Sequence, residues 1–161
     1  MKPKIFILFL ILSYTLSISA QEKESRKIDE LDSLYNCEVL QASLDNFMVQ
    51  LRTEPQSRGI IVVYEGKYRK YIYKQTGEAK LGTFLPFYGE SNYLIDDMFL
   101  FFRLRRYSVE RVLFVSGGYR ENHAIEFWIV PKGAEPPKPT PHFERIKYRK
   151  GKPNRVCSKS V

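Results

Sequence analysis

Residues 108–133 read SVERVLFVSGGYRENHAIEFWIVPKG, and this stretch decides the fold. Two runs rich in β-branched and aromatic residues, Val112 to Val115 and Ala124 to Val130, flank Gly117-Gly118, which predicts a hairpin or near-hairpin. Working outward, Gly59 to Tyr64 reads GIIVVY, a glycine followed by an unbroken apolar run. Such a run suits a strand covered on both faces, as in a parallel sheet. Between the two lies a helical pattern capped by Ser91 or Asn92. Leu94, Ile95, Met98, Phe99, Phe101, Phe102 and Leu104 form its wide apolar face, and Asp96, Asp97, Arg103, Arg105 and Arg106 take the remainder, acids early and arginines late as the helix dipole prefers. Strand, helix and strand in this order predict a crossover with Gly59–Tyr64 and Val112–Val115 parallel.

An earlier helix completes the core. Asn36 is its expected N-cap, Glu38 sits in its first turn, and Leu40, Leu44, Phe47, Met48 and Leu51 share one face before Pro55 ends it. The fold class is therefore α/β, as an α+β sandwich of two helices on a small mixed sheet, spanning residues 36–131. Residues 65–90 are ambiguous: Tyr71 and Tyr73 alternate with polar neighbours, so an extra strand or ribbon and a long ordered loop both remain open. The basic and aromatic composition of that segment would also suit a single-stranded nucleic-acid platform, but tyrosines covering a sheet edge beside outward lysines is the favoured reading.

The flanks define the compartment. Lys2 and Lys4, an apolar run from Ile5 to Leu12, and small residues at Ser17, Ser19 and Ala20 have the layout of a secretory signal peptide cleaved after Ala20. No cysteine follows for a lipid anchor, and no later stretch is long and apolar enough to span a bilayer. The expected location is secreted or periplasmic. Residues 21–35 are expected to be a flexible leader. Cys37 and Cys157 are the two cysteines, and export favours a bridge between them. The alternative is two separate thiols, with Cys37 buried on its helix. Of the net charge of +8, nearly all lies in residues 132–161, a proline-rich connector followed by a basic tail. Phe143, Ile146 and Tyr148 are spaced so that the tail could dock on the domain.

From 37 to 131 the chain resembles the peptidoglycan-associating C-terminal domain of outer membrane protein A. Met98, Phe101 and Phe102 fall where that family's second helix carries V, Y and L. Val109, Glu110, Arg111 and Val112 match its ADRI phrase, and His123 to Pro131 match its last strand. The resemblance implies the fold and hints at a cell-envelope location. It does not carry over the family's peptide contacts, because Lys67 stands in the position of the family's aspartate and Leu94 in that of its arginine. Peptidoglycan binding is accordingly not expected.

Catalytic constellations are sparse in the sequence. His123 and His142 lack ligand-spaced neighbours for zinc. Ser116-Gly117-Gly118 is followed by a strand pattern where a nucleophile elbow requires a helix, and no phosphate-binding or dinucleotide glycine pattern occurs. Neither enzymatic activity nor a cofactor is expected. One edge does gather chemistry. If the two core strands are parallel, both end at the same rim, where ligands collect in such sheets. Glu65, Lys67, Tyr119, Arg120 and Glu121 would meet there, with Lys67 and Arg120 able to hold a carboxylate or phosphate and the two glutamates orienting them. The plainer alternative has Gly117-Gly118 only turning the chain and Arg120 pairing with Glu121 or Glu65. On the rim reading, Arg120→Ala would weaken binding without disturbing the fold, and removing the tail would leave the rim unchanged. Two functions follow: a non-enzymatic envelope or periplasmic binding or structural module with an envelope component or protein as partner, or an interaction protein whose basic tail engages anionic polymer, lipid headgroups or, least expected, nucleic acid.

Overall fold

A computed structural model describes residues 24–153 and Cys157; residues 1–20, read from the sequence as a signal peptide, lie outside the described residues. The element order is β1 (Arg26–Leu31), α1 (Cys37–Thr53), β2 (Arg58–Tyr73), β3 (Ala79–Phe84), α2 (Glu90–Leu104), β4 (Val112–Asn122) and β5 (Ala124–Val130). Both helices and the mixed sheet of the α+β class are present. No helix among the described residues is long and apolar enough to cross a membrane.

β2 is central because its GIIVVY segment is apolar on both faces. It pairs in parallel with β4, from Gly59↔Val112 to Val63↔Ser116, as the crossover requires, and antiparallel with β5, from Arg58↔Val130 to Tyr64↔Ala124. Ile61 and Val63 enter the main core beneath the helices. Ile60, Val62 and Tyr64 enter a second cluster on the opposite face with Ala124, Val130, Val115 and Trp128. β1 then pairs antiparallel with the outer edge of β5.

Three expectations are corrected. The runs of β4 and β5 are not a hairpin: β2 lies between them, pairing with one on each edge. The chain passes from β4 to β5 over the backbone of β2 at Gly66, where a Cβ would sit 2.4 Å from the Asn122 carbonyl carbon. The His123 amide donates to the Lys67 carbonyl at the crossing (3.0 Å). Gly117-Gly118 accordingly makes no turn. Ser116 pairs with Val63 and Gly118 with Tyr64, so Gly117 is the extra residue of a bulge, and its missing side chain admits the Tyr64 ring, 2.5 Å from where a Cβ would be. Secondly, the supposed flexible leader contains β1, with Leu31 in the core and Ile28 packed against it. A register shift between Lys27 and Asp29 sets these apolar positions three apart instead of two, which hides the strand's period. Thirdly, Asp97 is buried while Phe99 and Leu104 are exposed, so the apolar face of α2 is rotated from the expected one.

The ambiguous segment 65–90 is a ribbon. β2 outruns the sheet and pairs antiparallel with β3, from Tyr68↔Phe84 to Tyr73↔Ala79. In α1 the Asn36 side chain accepts from the Val39 amide (2.9 Å), and Leu40, Leu44, Phe47, Met48 and Leu51 are all buried. At the start of α2, Gly89 occupies the cap position without a side-chain cap; the Glu90 carboxylate accepts from the Phe87 amide instead (2.7 Å).

The C-terminal segment is part of the fold. Ala134 packs on the second cluster, and the Thr140 amide donates to the Tyr64 hydroxyl (3.2 Å). Phe143 then bridges to Tyr119 on β4 and Arg149 to Phe87. Since β2 occupies one edge of β4, this bridge uses the other, and the chain passes round that edge to the helical side. There Cys157 is bonded to Cys37 with Cα atoms 5.3 Å apart.

Candidate functional site

The parallel pairing brings the ends of β2 and β4 to one edge, with Glu65 opposite Tyr119 and Lys67 opposite Asn122. The five rim residues nevertheless separate into three settings, because alternate residues of a strand point to opposite faces.

Arg120 is turned to the face away from the helices. Its guanidinium lies 3.4 Å from the Tyr64 ring centroid and donates to Glu126 Oε1 (2.9 Å) and Thr140 Oγ1 (2.6 Å). Glu30 is at 3.4 Å. Glu126 also accepts from Trp128 Nε1 (3.0 Å) and from the Tyr64 hydroxyl (3.3 Å), with Lys27 at 3.6 Å. Burial alone would raise the Glu126 pKa, but hydrogen bonds from Arg120 and Trp128 and the charges of Arg120 and Lys27 hold it below its ordinary value. Arg120 thus neutralises a buried acid. Its partners are neither of the glutamates expected from the sequence, Glu121 and Glu65, and its loss cannot leave the fold undisturbed.

Glu65 is also committed. It accepts from Ser91 Oγ at the start of α2 and from the Tyr148 hydroxyl of the C-terminal segment (2.5 Å). Tyr119 receives the segment's backbone: the amides of His142 and Phe143 donate to its carbonyl at 2.7 and 3.2 Å. The Glu65 carboxylate and the Tyr119 carbonyl are thus both engaged within the fold. Lys67 and Glu121 remain at the surface as a loose pair 3.6 Å apart.

Lys67, Glu121 and part of Arg120 do share one groove, of about 350 Å³, with Gly66, Leu85, Pro86, Phe143, Arg145, Ile146 and Lys147. Its apolar wall comes from the β3–α2 connection (Leu85, Pro86) and from the C-terminal segment (Phe143, Ile146). The expectation that removing the tail would leave the rim unchanged is therefore corrected: the tail is remote in sequence and adjacent in space. Sequence reasoning missed these wall residues at the rim, although the spacing of Phe143, Ile146 and Tyr148 signalled docking. Leu94 is buried in the main core.

Behind the rim lies a polar cluster that the sequence did not single out. His123, fully buried at the β4–β5 crossing, has Nε2 3.1 Å from the Tyr35 hydroxyl and stacks against Tyr68 with ring centroids 4.3 Å apart. Burial holds its pKa down to about 3 and raises the Tyr35 and Tyr68 phenols well above their ordinary value. All three are neutral at physiological pH.

No protein-family model, curated protein or solved structure matches the chain.

Proposed function

We propose that the protein is an exported, non-enzymatic binding module of the cell envelope that takes an amphipathic anion in the groove beside β4, a molecule with an apolar body and a single acidic head. The observation that carries this reading is the division of the groove lining: Leu85, Pro86, Phe143 and Ile146 offer apolar surface, and Lys67, Arg145 and Lys147 offer cations against Glu121 alone. A concave site with apolar walls and a few charged groups is the usual form of a small-molecule site. The volume suits a ligand of short-lipid or drug-like size. None of the lining residues is a histidine, cysteine, serine or threonine, which favours binding over catalysis. The sequence resemblance to the outer membrane protein A domain supports the envelope location; with Lys67 and Leu94 in the family's contact positions, a wall peptide is not the proposed ligand.

Calorimetric titration with decanoate tests the reading, with decanol and decyltrimethylammonium as neutral and cationic counterparts. Decanoate should bind saturably and the others at least tenfold more weakly. Ile146→Asp should abolish binding, and the Arg145→Gln/Lys147→Gln pair should weaken it. Equal binding of decanol, or none of decanoate, would overturn the proposal. The exposure of Arg145, Lys147 and Lys150 supports a second reading, attachment to an anionic polymer or lipid surface through the docked tail. Such binding weakens steeply with added salt, whereas decanoate held by the apolar wall would respond little.

A further inference from the structure

A second, smaller pocket of about 160 Å³ lies on the helical side, lined by Ser33, Tyr35, Tyr68, Arg69, Lys70, Phe84, Glu90 and Arg149. Five separate parts of the chain build it: the β1–α1 loop, β2, β3, the start of α2 and the C-terminal segment. All its lining residues except Phe84 carry a polar or charged side chain.

The charges do not balance. Arg69 is satisfied by Asp32 at 2.5 Å and Ser33 Oγ at 2.8 Å. Lys70 has no carboxylate within 4.0 Å among the described residues and rests 4.8 Å from the Phe84 ring centroid. Arg149 lies flat on Phe87, 3.7 Å from its centroid. Its only acidic partner among the described residues is Glu90, at 3.8 Å, and its buried Nε has no hydrogen-bond partner among them. Glu90, itself buried, spends its other oxygen on the Phe87 amide. Glu65, the next acid whose field reaches Glu90, accepts from the neutral hydroxyls of Ser91 and Tyr148 and keeps its charge, but it does not line the pocket. With Arg69 and Asp32 cancelling, the lining itself sets Lys70 and Arg149 against Glu90 alone, and one buried donor is unused.

We infer that this pocket is a binding site for a small carboxylate, held between Arg149 and Lys70 with Tyr68 and Phe84 as its walls. The net charge selects the class. One carboxylate balances the charges that line the pocket, whereas a phosphate dianion would add a second negative charge beside the buried Glu90, a costly arrangement. The planar guanidinium, fixed on Phe87, is suited to the two oxygens of a carboxylate. The volume, about five waters' share of the liquid, admits the head and a short chain. The site is separate from the groove of the proposed function, and its residues do not line that groove.

Amide chemical-shift titration of the full mature chain with sodium acetate and propionate, against inorganic phosphate and methylammonium at equal ionic strength, tests the inference. Both carboxylates should give saturable shifts at Tyr68, Lys70 and Glu90. Lys70→Gln, at an exposed position where the fold is not at risk, should weaken acetate binding roughly tenfold, the usual worth of a hydrogen bond to a charged group. Arg149→Gln should do at least as much, Lys138→Gln nothing, and Ile146→Asp in the groove nothing. Absence of saturation, phosphate saturating as readily as acetate, or an unchanged affinity in Lys70→Gln would overturn it.

Discussion

Arg120→Ala separates the role read from the sequence from the one the structure gives. On the rim reading it costs ligand affinity and no stability; in the fold it strands a buried acid. Arg120 and Glu126 are 13% and 7% exposed in their side chains, and removing one partner of a buried pair costs about 3–5 kcal/mol. Lys27 at 3.6 Å and the Trp128 and Tyr64 donors remain to solvate Glu126, which moves the value to the lower end, about 3 kcal/mol. For a domain of this size that is a fall of roughly 10 °C in melting temperature. The pH dependence adds an independent check. The folded-state pKa of Glu126 is depressed, so its contribution is present above the unfolded carboxylate range, near pH 4.5, and is lost as pH falls through the folded value. Without Arg120 the largest effect opposing burial is gone, and the pKa of the acid rises relative to wild type. The difference between wild type and Arg120→Ala should therefore be larger at pH 7 than at pH 4. Urea unfolding at both values measures it, with Lys67→Ala as control. The Lys67–Glu121 pair is largely exposed (45% and 66%), and its loss should change stability by less than about 1 kcal/mol. A pH-independent difference, or one as small as the control's, would refute the assignment of Arg120 to Glu126.

The His123 imidazole, held at about 3 by burial, should show no titration between pH 5 and 8 in proton NMR; because the unfolded chain takes up this proton near pH 6.5, the stability it contributes is complete above that value and is lost as pH falls toward 3. A midpoint near 6 would mean the ring is hydrated. Cys157→Ser, opening a loop with a sequence separation of 120, should lower stability by about 3–5 kcal/mol in urea unfolding; no change would mean the segment is held without the bond. Gly66→Ala, whose methyl would meet the Asn122 and His123 backbone at 2.4 and 2.5 Å, should cost more than about 3 kcal/mol or prevent folding, and wild-type stability would show that the crossing can move aside.

What was legible in the chain was the part dictated by local pattern. Leu40, Leu44, Phe47, Met48 and Leu51 lie at helical spacing and are buried together, and GIIVVY is apolar on both faces and became the central strand. What was not legible depended on partners distant in sequence. A glycine pair between two strand-like runs has the same local signature whether it turns the chain or bulges it; only the Tyr64 ring against Gly117 tells them apart. β1 is hidden because its bulge puts Ile28 and Leu31 out of alternation. The rim was correctly placed at the ends of two parallel strands, yet its residues were assigned to one site because sequence gives the edge and not the face. Arg120 went to Glu126 beneath the sheet and only partly lines the groove, Glu65 went to Ser91 and Tyr148, and Lys67 and Glu121 stayed beside the groove's open side.

The C-terminal segment shows why charge and fold cannot be separated in this protein. By composition it is an appendage, holding almost all of the net +8, and a truncation after Pro131 looks like a clean way to remove charge from a finished domain. In space the same residues are walls. Phe143, Arg145, Ile146 and Lys147 close the larger groove, and Arg149 closes the smaller pocket. Thr140 and Tyr148 complete hydrogen bonds to Tyr64 and Glu65, and Cys157 fastens the end to α1. Truncation would remove cations, cavity walls and the disulfide at once, so a loss of binding in the truncated chain would not distinguish an electrostatic tail from a built pocket. Point changes do. Lys150→Gln and Lys152→Gln alter exposed charge outside both cavities, and they should reduce attachment to an anionic surface while leaving decanoate and acetate binding as in the wild type.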